Sequence, residues 1–235
     1  MIEFSKKIFV DYSLVDKDYN LKLSSLLRFM QNAATEHYDK KGLGRARLIS
    51  EGMVFLVSKI ALKISCPIKA EKTLELTTWE EDIKGAYFVR DFEFRVDGEV
   101  VGQAQTLWVV VDPVTHAVLR PSDFPYPIQT PNKSVEISAG KISERTLEKV
   151  YDEKRRVRFS ELDCNGHMNN CVYADYTIDV LACFEDDVSW SEAHINFNRE
   201  AKLNDEMTLT LFKGDSKVVS GDSDSGKNFF KAKII

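Results

Sequence analysis

"VDYSLVD" at residues 10–16 returns as "VRFSELD" at residues 157–163, with valine, serine and aspartate in the same places and Tyr12 facing Phe159. A helix-like stretch follows each. Then "LKISCPIKAEKTLELTTW" (62–79) lies over "INFNREAKLNDEMTLTLF" (195–212) in apolar alternation, and "DGEVVGQAQTLWVV" (97–110) lies over "SGKNFFKAKII" (225–235). Blocks that recur in one order are the mark of a duplicated unit. The register slips between blocks, so the loops differ in length.

Each unit reads as a strand, a long helix, then several strands. Leu23, Leu26, Leu27, Met30, Ala33, Ala34 and His37 recur at three- and four-residue steps, which predicts an amphipathic helix. Ser24 or Ser25 is placed to open it, and Gly42 or Gly44 to close it. Asp97–Gly98, between "FEFRV" and "EVVGQAQ", predicts a tight hairpin. In the second half Tyr173, Tyr176, Val180 and Phe184 mark the matching helix, and "GDSDSG" (221–226) supplies a turn. A helix followed by antiparallel strands, twice over, is α+β architecture with a sheet wrapped round each helix. Pro121, Pro125, Pro127 and Pro131 crowd into "RPSDFPYPIQTPNKS", which is expected to be neither helix nor central strand. The expected division is an N-terminal unit at 1–124, a linker at 125–148 and a C-terminal unit at 149–235.

With 43% hydrophobic residues in 235, the chain can fill real cores. A net charge of −5 argues against nucleic acid as the main partner. The N-terminus lacks the apolar stretch of a signal peptide, and no run approaches a membrane span. Cys66, Cys164, Cys171 and Cys183 form no C-x-x-C pair, so reduced thiols and a cytoplasmic location are expected.

"ELDCNGHMNN" (161–170) is the densest polar stretch. One reading is a polar turn before a helix, with Asn169 or Asn170 as N-cap. The other is an active site. Asp163, Asn165 and His167 alternate, so they converge if the segment is extended or loop-like, which Gly166 favours. Together they offer a base or nucleophile, an oriented amide and a proton carrier. The first half keeps Asp16 at the matching place and loses the Asn and His, which suggests that one unit catalyses and the other binds. "GLGRAR" (42–47) follows a helix and reads as its C-cap, and "GDSD" as a hairpin. His37, His116, His167 and His194 are scattered, so neither a metal nor a cofactor is expected. "KRRVR" (154–158) is either a solvated strand or a patch meeting phosphate or acidic protein.

These residues resemble a known family. "SELDCNGHMNNCVYADYTIDVL" and "INFNREAKLNDEM" are similar to the two catalytic segments of the acyl-acyl-carrier-protein thioesterases, plant-type and bacterial. "LLRFMQNAATEHYDKKGLG", "TLELTTWEEDIKGAYFVRDFEF" and "AQTLWVVVDPVTHAVLRPSDFP" extend the resemblance through the first half. It implies a tandem hotdog fold and hydrolysis of fatty acyl-acyl carrier protein to free fatty acid, ending chain elongation in fatty acid biosynthesis. It also implies catalytic roles for Asp163, Asn165, His167 and Glu200. Many members carry a cysteine after that glutamate; Ala201 stands here, so no thiolate acts at that position. Pro67 faces Glu200 in the first half, which fits an acyl-binding role there. Phe55 stands where the family leads one to expect tryptophan, so the pocket should differ in shape. The rival functions are an acyl-CoA thioesterase, a hotdog dehydratase and a non-catalytic acyl-binding module. The expected partner is acyl carrier protein, and homodimer or monomer is left open.

Overall fold

The structure, a computed structural model, describes residues 2–185 and 188–235. The chain forms two compact units, Met1–Ala139 and Gly140–Ile235. In the first, β1 (Glu3–Phe9) leads through a 3₁₀ turn to α1 (Leu23–Lys40) and the short α2 (Arg45–Ser50). Then come β2 (Val54–Ile64), β3 (Thr73–Lys84), β4 (Tyr87–Val96) and β5 (Glu99–Val111). The second unit has β6 (Glu148–Arg156), α3 (Asn170–Ala182), β7 (Glu192–Phe197), β8 (Glu206–Lys213), β9 (Lys217–Asp222) and β10 (Asn228–Ile234).

The strand order within the first unit is β1-β3-β4-β5-β2, and within the second β6-β8-β9-β10-β7. Strand for strand these are the same topology, so the repeat seen in the sequence is a repeat of fold. Each sheet is antiparallel and lays its concave side on one helix. α1 packs against β1 and β3, and α3 against β8 and β10. Leu26, Leu27 and Met30 of α1 are buried with Leu74, Leu76, Phe92 and Phe94, while Tyr173, Val180 and Leu181 of α3 are buried with Leu209, Leu211 and Phe230. A helix wrapped by an antiparallel sheet is the hotdog arrangement, present twice.

Several local expectations need adjustment. Ser24 and Ser25 do not open α1; Lys22 occupies the N-cap without a side-chain bond. Both serines are buried, and the Ser25 hydroxyl donates to the Leu14 carbonyl (2.9 Å). Gly42, at φ +72°, does follow the end of α1, but Gly44 is the N-cap of α2, a helix too short for its periodicity to register. Asp97 and Gly98, both at positive φ, form the expected β4–β5 turn. Phe184 lies beyond α3 and is exposed.

The proline-rich segment forms no strand, apart from a 3₁₀ turn at Pro121–Asp123. It is not a free linker up to 148, however, because residues through Ala139 belong to the first unit. Phe124, Tyr126 and Ile128 pack beside Phe55, Phe88 and Trp108. Phe124 meets Phe88 and Phe55 edge to face at 5.0 and 5.4 Å. Proline forbids ladder bonds and leaves apolar burial available, so side chains hold this strap.

Candidate active site

Asp163, Asn165 and His167 sit in a closed turn rather than an extended strand. The Asp163 N–H donates to the His167 carbonyl (2.7 Å), and Leu162 pairs with Met168. Oδ1 of Asp163 accepts the backbone N–H groups of Asn165 (2.8 Å) and His167 (3.2 Å), while Oδ2 accepts Asn165 Nδ2 (3.1 Å). Gly166 turns the chain at φ +75°, a region glycine enters without steric penalty. The N-cap reading of the string also holds: Asn169 Oδ1 accepts the Cys171 N–H (2.9 Å) and opens α3.

Glu200 reaches this turn through backbone pairing. Arg199 donates to the Phe229 carbonyl (3.1 Å), Met168 donates to the Ala201 carbonyl (2.8 Å), and His167 pairs with Lys202. The segment is thereby pinned on both sides, and Glu200 Oε2 lies 3.3 Å from His167 Nε2. The imidazole side chain is 23% exposed and the carboxylate 41%, so the pair is anchored yet open to water. Tyr173, buried against Phe197 and Phe230 with ring centroids at 5.6 and 4.9 Å, supports it from α3.

The first unit contains the same turn. Asp16 donates its N–H to the Asn20 carbonyl (2.8 Å), and its Oδ1 accepts the N–H groups of Asp18 (2.9 Å) and Asn20 (2.9 Å). Leu21 donates to the Ile68 carbonyl (2.7 Å), and Asn20 pairs with Lys69. These pairings put Asn20 where His167 stands and Pro67 where Glu200 stands. A clamped aspartate turn is therefore a property of the fold. What distinguishes the second unit is the imidazole facing a carboxylate.

Other candidates resolve simply. Lys154 pairs with Asp224 (3.1 Å), Arg155 with Glu153 (2.7 Å) and Arg156 with Glu206, so most of the basic run is a paired, solvated strand edge. Cys164 is exposed on the turn, Cys171 is buried, and no disulfide joins the four cysteines. Among the described residues no cluster could hold a metal ion, and no helix is long and apolar enough to cross a membrane.

A cavity of about 160 Å³ opens in the first unit. Its walls include Leu43, Leu48, Met53, Phe55, Phe88 and Ile128. Phe55 lies edge to face with Tyr38 (5.3 Å) and Phe88 (5.2 Å). Its floor is polar, which the sequence reading missed. Glu80 and Arg90 line it at 3% and 4% exposure. Tyr38 donates to Glu80 Oε1 (2.6 Å), and Lys41 pairs with Glu80 Oε2. Burial alone would raise the Glu80 carboxyl, but the bonds from Lys41 and Tyr38 and the Arg90 charge hold it below its ordinary value. The available signal was phase: Thr78, Glu80 and Arg90 fall on the strand positions that otherwise carry Leu74, Leu76, Phe92 and Phe94.

Two helix-and-sheet units, one with a histidine–glutamate pair and the other with a cavity of apolar walls and polar floor, define a tandem hotdog protein. Residues 2–123 match the family model "Acyl-ACP thioesterase N-terminal domain", and residues 144–228 match "Acyl-ACP thioesterase C-terminal domain". The chain belongs to the acyl-ACP thioesterase family and hydrolyses the thioester of fatty acyl-acyl carrier protein. No curated protein matches it. An acyl-ACP thioesterase structure from Bacteroides thetaiotaomicron is similar in fold, at TM-score 0.81 and 18% identity, covering 99% of this chain and 97% of that one. So is the 12:0-ACP thioesterase of Umbellularia californica, at TM-score 0.80 and 17% identity over 99% and 96%.

Proposed function

We propose that the His167–Glu200 pair of the second unit carries out the hydrolysis and that the first unit holds the acyl chain in its cavity. One observation carries this reading: both units build the aspartate-clamped turn, yet Asn20 and Pro67 occupy the places of His167 and Glu200 in the first. Glu200, the more exposed partner, takes a proton from water, whose oxygen attacks the thioester carbon. The proton crosses to His167 over the 3.3 Å separation and passes to the departing sulfur, so that water is consumed and acid and thiol are released.

Asp163 positions rather than attacks. Its two oxygens already accept three N–H bonds, and Asp16 makes equivalent backbone bonds in a turn with no histidine. Through Oδ2 it fixes the Asn165 amide, which we assign to orient the substrate and to donate toward the developing oxyanion. The exposed thiols of Cys66, Cys164 and Cys183 fit a cytoplasmic enzyme.

The test is a ladder of acyl-acyl carrier proteins beside the matching acyl-CoAs, with released thiol and acid both measured. Acid is expected from the carrier-protein series in the native enzyme and to fall away in Glu200→Gln. Faster release from CoA would overturn the carrier assignment, and an enoyl product would overturn hydrolysis.

A further inference from the structure

The floor of the first unit's cavity is unbalanced. Glu80 spends Oε1 on the Tyr38 hydroxyl and Oε2 on Lys41. Arg90 Nη1 donates to His37 Nδ1 (3.0 Å) and Thr78 Oγ1 (3.3 Å). Arginine can only donate, so His37 must present a bare Nδ1 and contributes no acceptor elsewhere on that nitrogen. Arg90 Nη2 lies 4.0 Å from Glu80 Oε1, within Coulomb range but beyond a hydrogen bond, and has no hydrogen-bond partner among the described residues. Among Lys41, Glu80 and Arg90, two positive charges face one negative, and Glu80 and Arg90 are buried.

A buried donor left without an acceptor is costly, and a native fold that keeps one has a use for it. An unbranched hydrocarbon chain cannot satisfy it. Had the cavity evolved for hydrocarbon alone, Glu80 and Arg90 could be apolar like the neighbours that share their strand faces. The lining grades from exposed Thr35, Arg45 and Ile49 at the mouth to Glu80 and Arg90 at the buried floor. Glu80 and Arg90 therefore lie behind the apolar walls.

We infer that the preferred substrate is an acyl chain bearing an oxygen acceptor, a hydroxyl or keto group, in its distal part, received at Arg90 beside Tyr38. This rests on the reading that the first unit holds the acyl chain.

Purified full-length enzyme should be given carrier-protein thioesters of one chain length, plain or hydroxylated at successive distal carbons. At one position the hydroxylated chain is expected to exceed the plain one in kcat/KM by about tenfold, the worth of one charge-assisted hydrogen bond. Arg90→Met should collapse that ratio toward one. If Arg90→Met does not fold, Tyr38→Phe and Arg90→Lys provide the comparison, and the native enzyme's own preference still decides. Plain chains turning over faster than every hydroxylated one, or a preference that survives loss of the guanidinium, would overturn the inference. Ile49→Trp separates the two failures. If filling the mouth leaves all turnover intact, the acyl-binding reading falls. If it blocks all chains while the native enzyme ignores the hydroxyl, the oxygen preference alone falls.

Discussion

Asp16 and Asp163 hold the same turn in two different units: each Oδ1 accepts the N–H groups two and four residues ahead. Only one of the two turns carries a histidine. This equivalence separates folding from chemistry. Asp16→Ala and Asp163→Ala should each lower stability by about 1 kcal/mol, as loss of a local cap does. Asp163→Ala should also lower kcat by about 10²–10³ by removing the Asp163–Asn165 hydrogen bond, whereas Asp16→Ala should leave kcat per folded molecule unchanged. Chemical denaturation combined with steady-state assay measures both. Equal effects on kcat would remove the distinction.

In the proposed mechanism His167 delivers a proton to the leaving sulfur, so its importance depends on the thiol. His167→Ala should slow hydrolysis of a carrier-protein thioester by about 10²–10⁴. On a thioester of an arylthiol, which departs without help, the loss should be much smaller. The same loss on both would point to a role at the attacking water instead.

Gly221 of β9 lies where a methyl group has no room. A Cβ there would come within 2.4 Å of Phe230 Cε1 and 3.3 Å of Met207 Sδ. Phe230 in turn packs on Tyr173 of α3 (4.9 Å). Gly221→Ala should cost about 1–3 kcal/mol by overpacking, visible as a lowered Tm. Gly166→Ala, whose Cβ would touch nothing, should cost only the strain of positive φ, about 1 kcal/mol. Tyr19 already accepts that conformation at the matching place (φ 62°).

Burial raises the Asp91 carboxyl from 3.8 to about 6, despite bonds from Gln105 (3.0 Å) and the Val135 N–H (3.4 Å). Since the folded value lies above the unfolded one, its contribution is fully present below pH about 4 and is lost as pH rises through about 6. Relative to Asp91→Asn, the native protein should lose on the order of 2 kcal/mol across that window. Melting both proteins over the window checks this, and a constant difference would contradict it.

The duplicated fold was legible because burial imposes period on sequence: the α1 stripe, the strand alternation and the Asp97–Gly98 turn all reflect which side faces the core. The meeting of His167 with Glu200 was visible only through family resemblance. It depends on backbone pairing of Met168 with Ala201, which leaves no trace in residue type. The packing of the proline-rich stretch was not legible because proline reports on backbone bonds, while Phe124, Tyr126 and Ile128 anchor by side chain. The polar floor at Glu80 and Arg90 escaped notice because charged residues on strands usually face water.

Conversion of Glu200 to glutamine bears most directly on the catalytic assignment, since the amide keeps size and shape but cannot take water's proton. In protein shown to be folded, kcat on the best acyl-acyl carrier protein should fall by about 10²–10⁴ with KM little changed. A Glu200→Gln enzyme that turns over at the native rate would contradict the account.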